Sequence, residues 1–116
     1  GMDEAYIATR ALASGGADFT AMFIIADAMA IAAIKALEDA GRDVPRDCSV
    51  IAVDGLLLSQ YTRPTLTTMC QPSEQMGEES VRILLDMIER RSGNRSLVLE
   101  STLRAGASVA PASAWK

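Results

Sequence analysis

Ser49 to Gln71 reads SVIAVDGLLLSQYTRPTLTTMCQ, and this stretch decides the fold. Its first part, Val50 to Val53, is apolar without alternation, as expected of a strand covered on both faces. The run ends on Asp54, followed by Gly55. A carboxylate at the end of a buried parallel strand lies where open α/β sheets bind ligands, in the crevice at the strand carboxyl ends. Further on, Thr65 to Cys70 is rich in β-branched residues and is predicted to be a strand. The connection between them carries Leu56, Leu57 and Leu58. A surface loop seldom exposes three leucines together, so this connection is expected to pack against something.

Upstream, Phe19 to Ala26 (FTAMFIIA) reads as a short buried strand that stops at Asp27, the expected N-cap of a helix from Ala28 to about Ala40. Lys35, Glu38, Asp39 and Arg42 share one solvated face of that helix, whereas Ala28 to Ile34 carry no charge and are expected to be buried or to face an apolar cleft wall. Gly41 is placed to end it, and Val44-Pro45 prevents its resumption. Asp3 is the expected cap of a first helix, EAYIATRALAS, with Ala5, Ala8 and Leu12 as its apolar stripe and Gly15-Gly16 as its stop.

Downstream, Pro72 and Ser73 open a helix predicted over Glu74 to about Arg91 and ended by Ser92-Gly93-Asn94. Met76, Val81, Ile83, Leu84, Leu85, Met87 and Ile88 form its apolar face, and Glu78 with Arg82 and Asp86 with Arg90 are i, i+4 pairs, acid early and base late. Leu97 to Leu103 is read as a final strand, and the small-residue tail from Ala105 as frayed. Strands alternating with helices of this length indicate βαβ units and a parallel sheet, hence an α/β fold.

With 116 residues the chain is long enough for a single core. It is 49% hydrophobic but only 4% aromatic, so the core must be built from Ala, Ile, Leu, Val and Met. A net charge of -4 and a pI near 4.7 leave no excess positive charge to neutralise phosphates, so the chain alone is not expected to bind nucleic acid. Cys48 and Cys70 lack CxxC spacing and read as small buried side chains of a reducing compartment. No apolar run approaches the ~20 residues needed to span a bilayer, and no export signal is visible. Gly1-Met2 reads as a scar left by tag cleavage, and a larger protein is expected to have been trimmed.

Asp54 is the sharpest site candidate. Its position fits equally a carboxylate accepting hydrogen bonds from a small polar ligand and one bonding the backbone of the following turn. Asp27 also ends a strand but precedes a helix, and capping is its better explanation. Gln71 follows the third strand and could offer an amide to the same crevice. Thr67 and Thr68 are most simply strand residues, and nothing selects a role for Tyr61 or Arg63. The chain has no His and no GxGxxG, GxxxxGK[ST] or GxSxG motif, so nothing argues for catalysis, for a metal or for a cofactor.

The segments ADAMAIAAIKALEDAGRDVPRDCSVIAVD and PTLTTMCQPSEQMGEESVRILLDMI carry D-x-M-A-x-x-A, G-x-x-V-P-x-D-x-S-V-I and P-x-L-T-T at specific separations. In these the chain resembles the lactose-repressor and galactose-repressor type of bacterial transcription regulators over most of Phe19 to Ile88. The resemblance implies a three-layer αβα parallel sheet, the C-terminal lobe plus part of the N-terminal lobe of a type I periplasmic-binding-protein-like fold. Residues 3–104 would be a fragment of the effector-binding domain and 105–116 a C-terminal tail. It also implies ligand contacts at Ala26, Asp54 and Gln71, a sugar-like or nucleoside-like effector, homodimerisation, a cytoplasmic location, and DNA binding only through a headpiece missing from this chain.

Three departures bear on the ligand. Ala26 replaces a residue that is often Asn, so a polar contact is lost and a ligand other than a plain hexose is expected. Ala52, Val53 and Gly55 stand where that family usually has Gly, an aromatic residue and Asp or Asn. Gly106 and Ala107 precede Ser108 where an Arg is common.

Two other classes share parts of the pattern. A periplasmic sugar-binding protein of a transporter has nearly the same motifs, with unpaired cysteines against export. A phosphoacceptor receiver domain also ends a central strand on Asp, but it needs an acidic cluster for Mg²⁺ and a Lys on a later strand, and the only lysines are Lys35 and Lys116.

Overall fold

The computed structural model describes residues 1–91 and 93–112. At its centre is β2 (Ser49–Asp54), which pairs in parallel with β1 (Ala21–Ile24) on one side and β3 (Thr67–Cys70) on the other. The sheet order is β1-β2-β3-β4, with β4 the short strand Thr102–Arg104. In register, Ile24 lies opposite Ala52, and Asp54 opposite Cys70. The expected α/β class and open parallel sheet are therefore present.

The described chain divides into two units, Gly1–Cys70 with the residues from Leu103 on, and Gln71–Thr102. In the first, α1 (Met2–Ser14) packs on α2 (Asp27–Asp39), and α2 packs on β1 and β2. The core between helix and sheet comprises Ile24, Ala30, Ala33, Ile34, Leu37, Val50, Ala52 and Leu66. Val50 and Ala52, two residues apart, share one face of β2, as the period of a strand requires. Ile51 and Val53 on the opposite face are only half-buried, so within this unit β2 is fully covered on one side rather than both. The uncharged opening of α2 is buried at Ala30, Ala32, Ala33 and Ile34, as expected.

Gly41 ends α2 with a φ of +78°, where a side chain would be strained, and Arg42 N–H reaches back to Leu37 O at 2.9 Å. Arg42 leaves the solvated face predicted for it. Its guanidinium lies 4.1 Å from the centroid of the Phe19 ring and donates to Phe19 O at 2.7 Å.

Several expectations are corrected. Helix α1 starts one residue before Asp3, its N-cap is Gly1, and its buried residues are Ala5 and Thr9, whereas Ala8 and Leu12 are exposed. The i, i+4 spacing of Ala5 and Thr9 puts them on one face, which a search for large apolar residues overlooks. Strand β1 is shorter than Phe19 to Ala26, and its Phe23 is exposed because β1 is at the sheet edge with α2 on the other face. The three leucines do not pack away. Leu56, Leu57, Leu58 and Tyr61 are exposed around a 3₁₀ turn, Leu57–Gln60, whose one buried residue is Ser59.

Among the described residues the tail is tied down, from Gly106 to Ala110, rather than frayed. Ser108 is fully buried, its Oγ donates to Val50 O at 2.6 Å and accepts from Thr67 N–H at 2.8 Å, and its carbonyl accepts from Val50 N–H at 2.8 Å. Ala107 N–H bonds Thr65 O at 2.8 Å, and Ser49 Oγ accepts from Ala110 N–H at 3.0 Å. These bonds supply backbone partners at the start of β2 and β3, a role that composition does not reveal.

In the second unit, α3 (Ser73–Ile88) has no buried residue. Met76, Ser80 and Ile83 line a shallow depression with Leu97 and Leu99. The ion pairs differ from those predicted. Arg82 pairs with Glu79 at 2.9 Å, and Asp86 lies 3.8 Å from Arg95. The helix ends at Ile88, so Arg90 and Arg91 fall beyond its last turn, and that turn holds no base. The strand predicted over Leu97 to Leu103 is confined to β4. Ser92 of the predicted helix stop, and residues 113–116 with Lys116, lie outside the described residues.

Candidate functional site

The carboxyl ends of β1, β2 and β3 bring together the residues that follow them. Parallel pairing sets Ile24 beside Ala52 and Ala52 beside Thr68. Continuing that register carries Asp27 alongside Gly55. Asp27 is the first residue of α2 and is completely buried.

Asp27 is not the N-cap. That position is Ala26, with extended backbone and no side-chain capping bond. The Asp27 carboxylate is instead an acceptor for three donors from two other elements. Its Oδ2 accepts from Gly55 N–H at 3.1 Å and Leu56 N–H at 2.8 Å, and its Oδ1 accepts from the Thr68 hydroxyl at 2.5 Å. A buried carboxylate is costly unless paired or hydrogen-bonded, and these donors meet that requirement. Thr68, read as an ordinary strand residue, is fully buried and is one of the donors.

Capping of α2 comes from the neighbouring strand. Asp54 Oδ2 accepts from Asp27 N–H at 3.2 Å, satisfying one of the unpaired amides at the helix start. The two acids thus exchange the roles that sequence order suggested. Asp54 is half-buried and ends β2 with a φ of +136°, and Gly55 follows at +81°. Glycine is required there. A Cβ on Gly55 would lie 2.6 Å from Cys70 Sγ and 2.7 Å from Cys70 Cα.

The turn after Asp54 is also held through its carbonyls. Arg104 donates to Gly55 O at 3.4 Å, Leu56 O at 3.0 Å and Ser59 Oγ at 2.5 Å. Ser59 Oγ in turn donates to Leu56 O at 2.7 Å. Sequence reasoning missed Arg104, which carries no local signal because its partners lie more than forty residues earlier.

Of the predicted contacts, Ala26 and Asp54 flank the same helix start, one as its N-cap residue and the other as the donor's acceptor. Gln71 is half-buried and is the first residue of the second unit, directly after Cys70. Tyr61 is exposed on the 3₁₀ turn. Cys48 is buried and Cys70 half-buried, and both are free thiols. Burial pushes the Cys48 thiol above its usual pKa, with nearby Arg42 opposing weakly. Among the described residues no group of three or more His, Cys, Asp or Glu could hold a metal, and no helix is long and apolar enough to cross a membrane.

The model of the periplasmic binding protein-like domain matches residues 3–109. The HTH-type transcriptional regulator MalR of Clostridium butyricum is 43% identical over 86 residues, covering 74% of this chain and 26% of that protein. Among solved structures, a complex of the transcriptional regulator CelR with cellobiose superposes with a TM-score of 0.86 at 34% identity, over 92% of this chain and 33% of that one. The lac repressor dimer bound to operator and the anti-inducer ONPF gives a TM-score of 0.86 at 28% identity, over 90% of this chain and 37% of that one. The chain thus spans about a quarter of the length of the curated relative and about a third of the structural ones. By the match over 3–109 and by these similarities, the chain belongs to the periplasmic binding protein-like domain family, in the form found in lactose-repressor-type transcriptional regulators.

Proposed function

We propose that this chain is the effector-sensing, non-catalytic part of a lactose-repressor-type bacterial regulator. It binds a small polar, sugar-like molecule and self-associates as a homodimer in the cytoplasm, while DNA binding belongs to a headpiece outside this chain. The observation that carries the reading is Asp54, a carboxylate at the carboxyl end of the central parallel strand, fixed against the start of α2. Ala26 beside it is assigned to the same contact surface. Gln71 is assigned as a further contact from its place after β3 and from the resemblance. The effector acts by binding one arrangement of the full protein better than another, which shifts DNA affinity. The full relatives support this reading over a transporter's sugar-binding protein, since those named here are regulators. The receiver-domain reading finds no support in the family match.

The test is a thermal-shift screen of the intact gene product against sugars, polyols and nucleosides. A ligand at ~100 times its dissociation constant stabilises by about 2.7 kcal/mol. A hit retained in wild type and lost in both Asp54→Ala and Asp54→Asn supports the assignment. Asn keeps an oxygen for the Asp27 amide, so loss of binding there reports the charge rather than the helix cap. A hit that persists in both variants removes Asp54 from the site.

A further inference from the structure

Asp27 is a fully buried carboxylate that the proposed ligand contacts do not use. It joins three elements at the carboxyl edge of the sheet. Its backbone N–H holds the Asp54 carboxylate at 3.2 Å, and its own carboxylate holds the two amides that follow Asp54, at 3.1 and 2.8 Å. The Thr68 hydroxyl on β3 completes the set at 2.5 Å. The bonds are reciprocal. Asp54 fixes the start of α2, and the residue at that start fixes the turn that leaves Asp54.

We infer that Asp27 is a positioning residue for the ligand-binding carboxylate: by gripping the Gly55 and Leu56 amides it holds the Asp54 turn in its positive-φ conformation and so aims the Asp54 side chain. Backbone at φ +136° and +81° in succession is a sparsely populated path that persists only where surrounding bonds determine it. Two adjacent N–H groups pointing at one carboxylate oxygen provide that determination, and charge-assisted bonds are the strong kind. Thr68 orients the carboxylate by occupying its other oxygen, so the β3 hydroxyl belongs to the same device.

Only the functional half of this inference rests on Asp54 being a ligand contact. Its geometric half is decided without ligand, by amide hydrogen exchange on the full chain, with Val50 and Ala52 of β2 as internal references. Three amides report directly: Gly55 and Leu56 on the turn, and Asp27, whose N–H reads the placement of the Asp54 carboxylate. In Asp27→Asn, where an amide NH₂ replaces one acceptor, and in Thr68→Val, all three are expected to exchange at least about tenfold faster while Val50 and Ala52 keep their rates. Thr68→Ser, which keeps the hydroxyl, is expected to restore wild-type exchange. Thr68→Val serves where Asp27→Asn does not fold.

A uniform acceleration at all five amides would make Asp27 a general stability residue and overturn the inference. Unchanged rates at Gly55 and Leu56 would also overturn it, because Arg104 alone would then be holding the turn through its carbonyls. If the three amides respond but no effector depends on Asp54, the reading of the ligand site fails and the positioning of the turn stands.

Discussion

Ser108→Ala is predicted to be among the most destabilising single changes in the chain, although it lies in a short C-terminal segment of small residues. The substitution deletes only an oxygen. That oxygen donates to Val50 O at 2.6 Å and accepts from Thr67 N–H at 2.8 Å, and all three residues are buried. Alanine leaves the third bond, Val50 N–H to Ser108 O at 2.8 Å, in place. The cost is therefore that of one buried carbonyl and one buried amide without partners. Each such group costs about 1–3 kcal/mol, so the pair should cost about 2–6 kcal/mol. Urea unfolding of the chain followed by far-ultraviolet circular dichroism measures this, with the midpoint falling and the slope unchanged. Val109→Ala, at an exposed neighbour, is the control and should stay within about 0.5 kcal/mol. A Ser108→Ala loss as small as the control's would refute the attachment of the tail to β2 and β3.

Gly55→Ala should destabilise by at least about 1 kcal/mol, since a side chain is disfavoured at φ +81° and Cβ would meet the Cys70 backbone at 2.7 Å; thermal melts check it, and a neutral result would contradict the close approach. Leu37→Ala, at a fully buried core position, should cost about 2–5 kcal/mol in the same urea experiment. Cys48 should resist a thiol reagent in the native state at pH 8, being buried and with its pKa pushed up, while Cys70 reacts first; mass mapping of the first modified thiol decides it. Asp39 is held below the usual carboxylate range by hydrogen bonds from Lys35 and then Tyr6. A depressed folded pKa contributes stability above the unfolded value, lost as pH falls through the folded one. The stability gap between wild type and Asp39→Asn should therefore be present at pH 7 and vanish in acid, as the pH falls below the usual carboxylate range.

What the sequence reveals here is what local pattern can encode. Val50 to Val53 ending on Asp54 identifies β2 because a short apolar run marks a strand, although within its unit only the Val50 and Ala52 face is fully covered, and Gly41 after α2 marks a stop because only glycine takes φ +78° without strain. Features set by distant partners are not legible in this way. An Asp before a helix reads as a cap whichever element receives its bonds, and only the β1-β2 register shows that Asp27 stands beside Gly55 rather than turning back on its own helix. The tail fails for the same reason, since Ser108 looks like any linker serine until Val50 and Thr67 are beside it. Thr9 carries no apolar signal, and only its i, i+4 spacing from Ala5 places it on the buried face of α1.

The exposed leucines follow from the same geometry that builds the site. Asp27 takes the amides of Gly55 and Leu56, and Arg104 takes their carbonyls, so the backbone of the turn is satisfied from both sides. Ser59, bonded to Leu56 O and to Arg104, is pulled to the interior as the turn's one buried side chain. With the backbone and Ser59 facing inward, a single 3₁₀ turn has nowhere to put Leu57 and Leu58 except outward. Their exposure is thus a consequence of polar satisfaction at the Asp54 edge. Ser59→Ala separates this from chance: removing the hydroxyl frees an Arg104 donor and a Leu56 acceptor contact. If the polar network sets the turn, exchange at the Ser59 and Tyr61 amides should accelerate while that at Val50 does not. Unchanged exchange at both amides would mean that the leucines, and not the network beneath them, set the conformation of this turn.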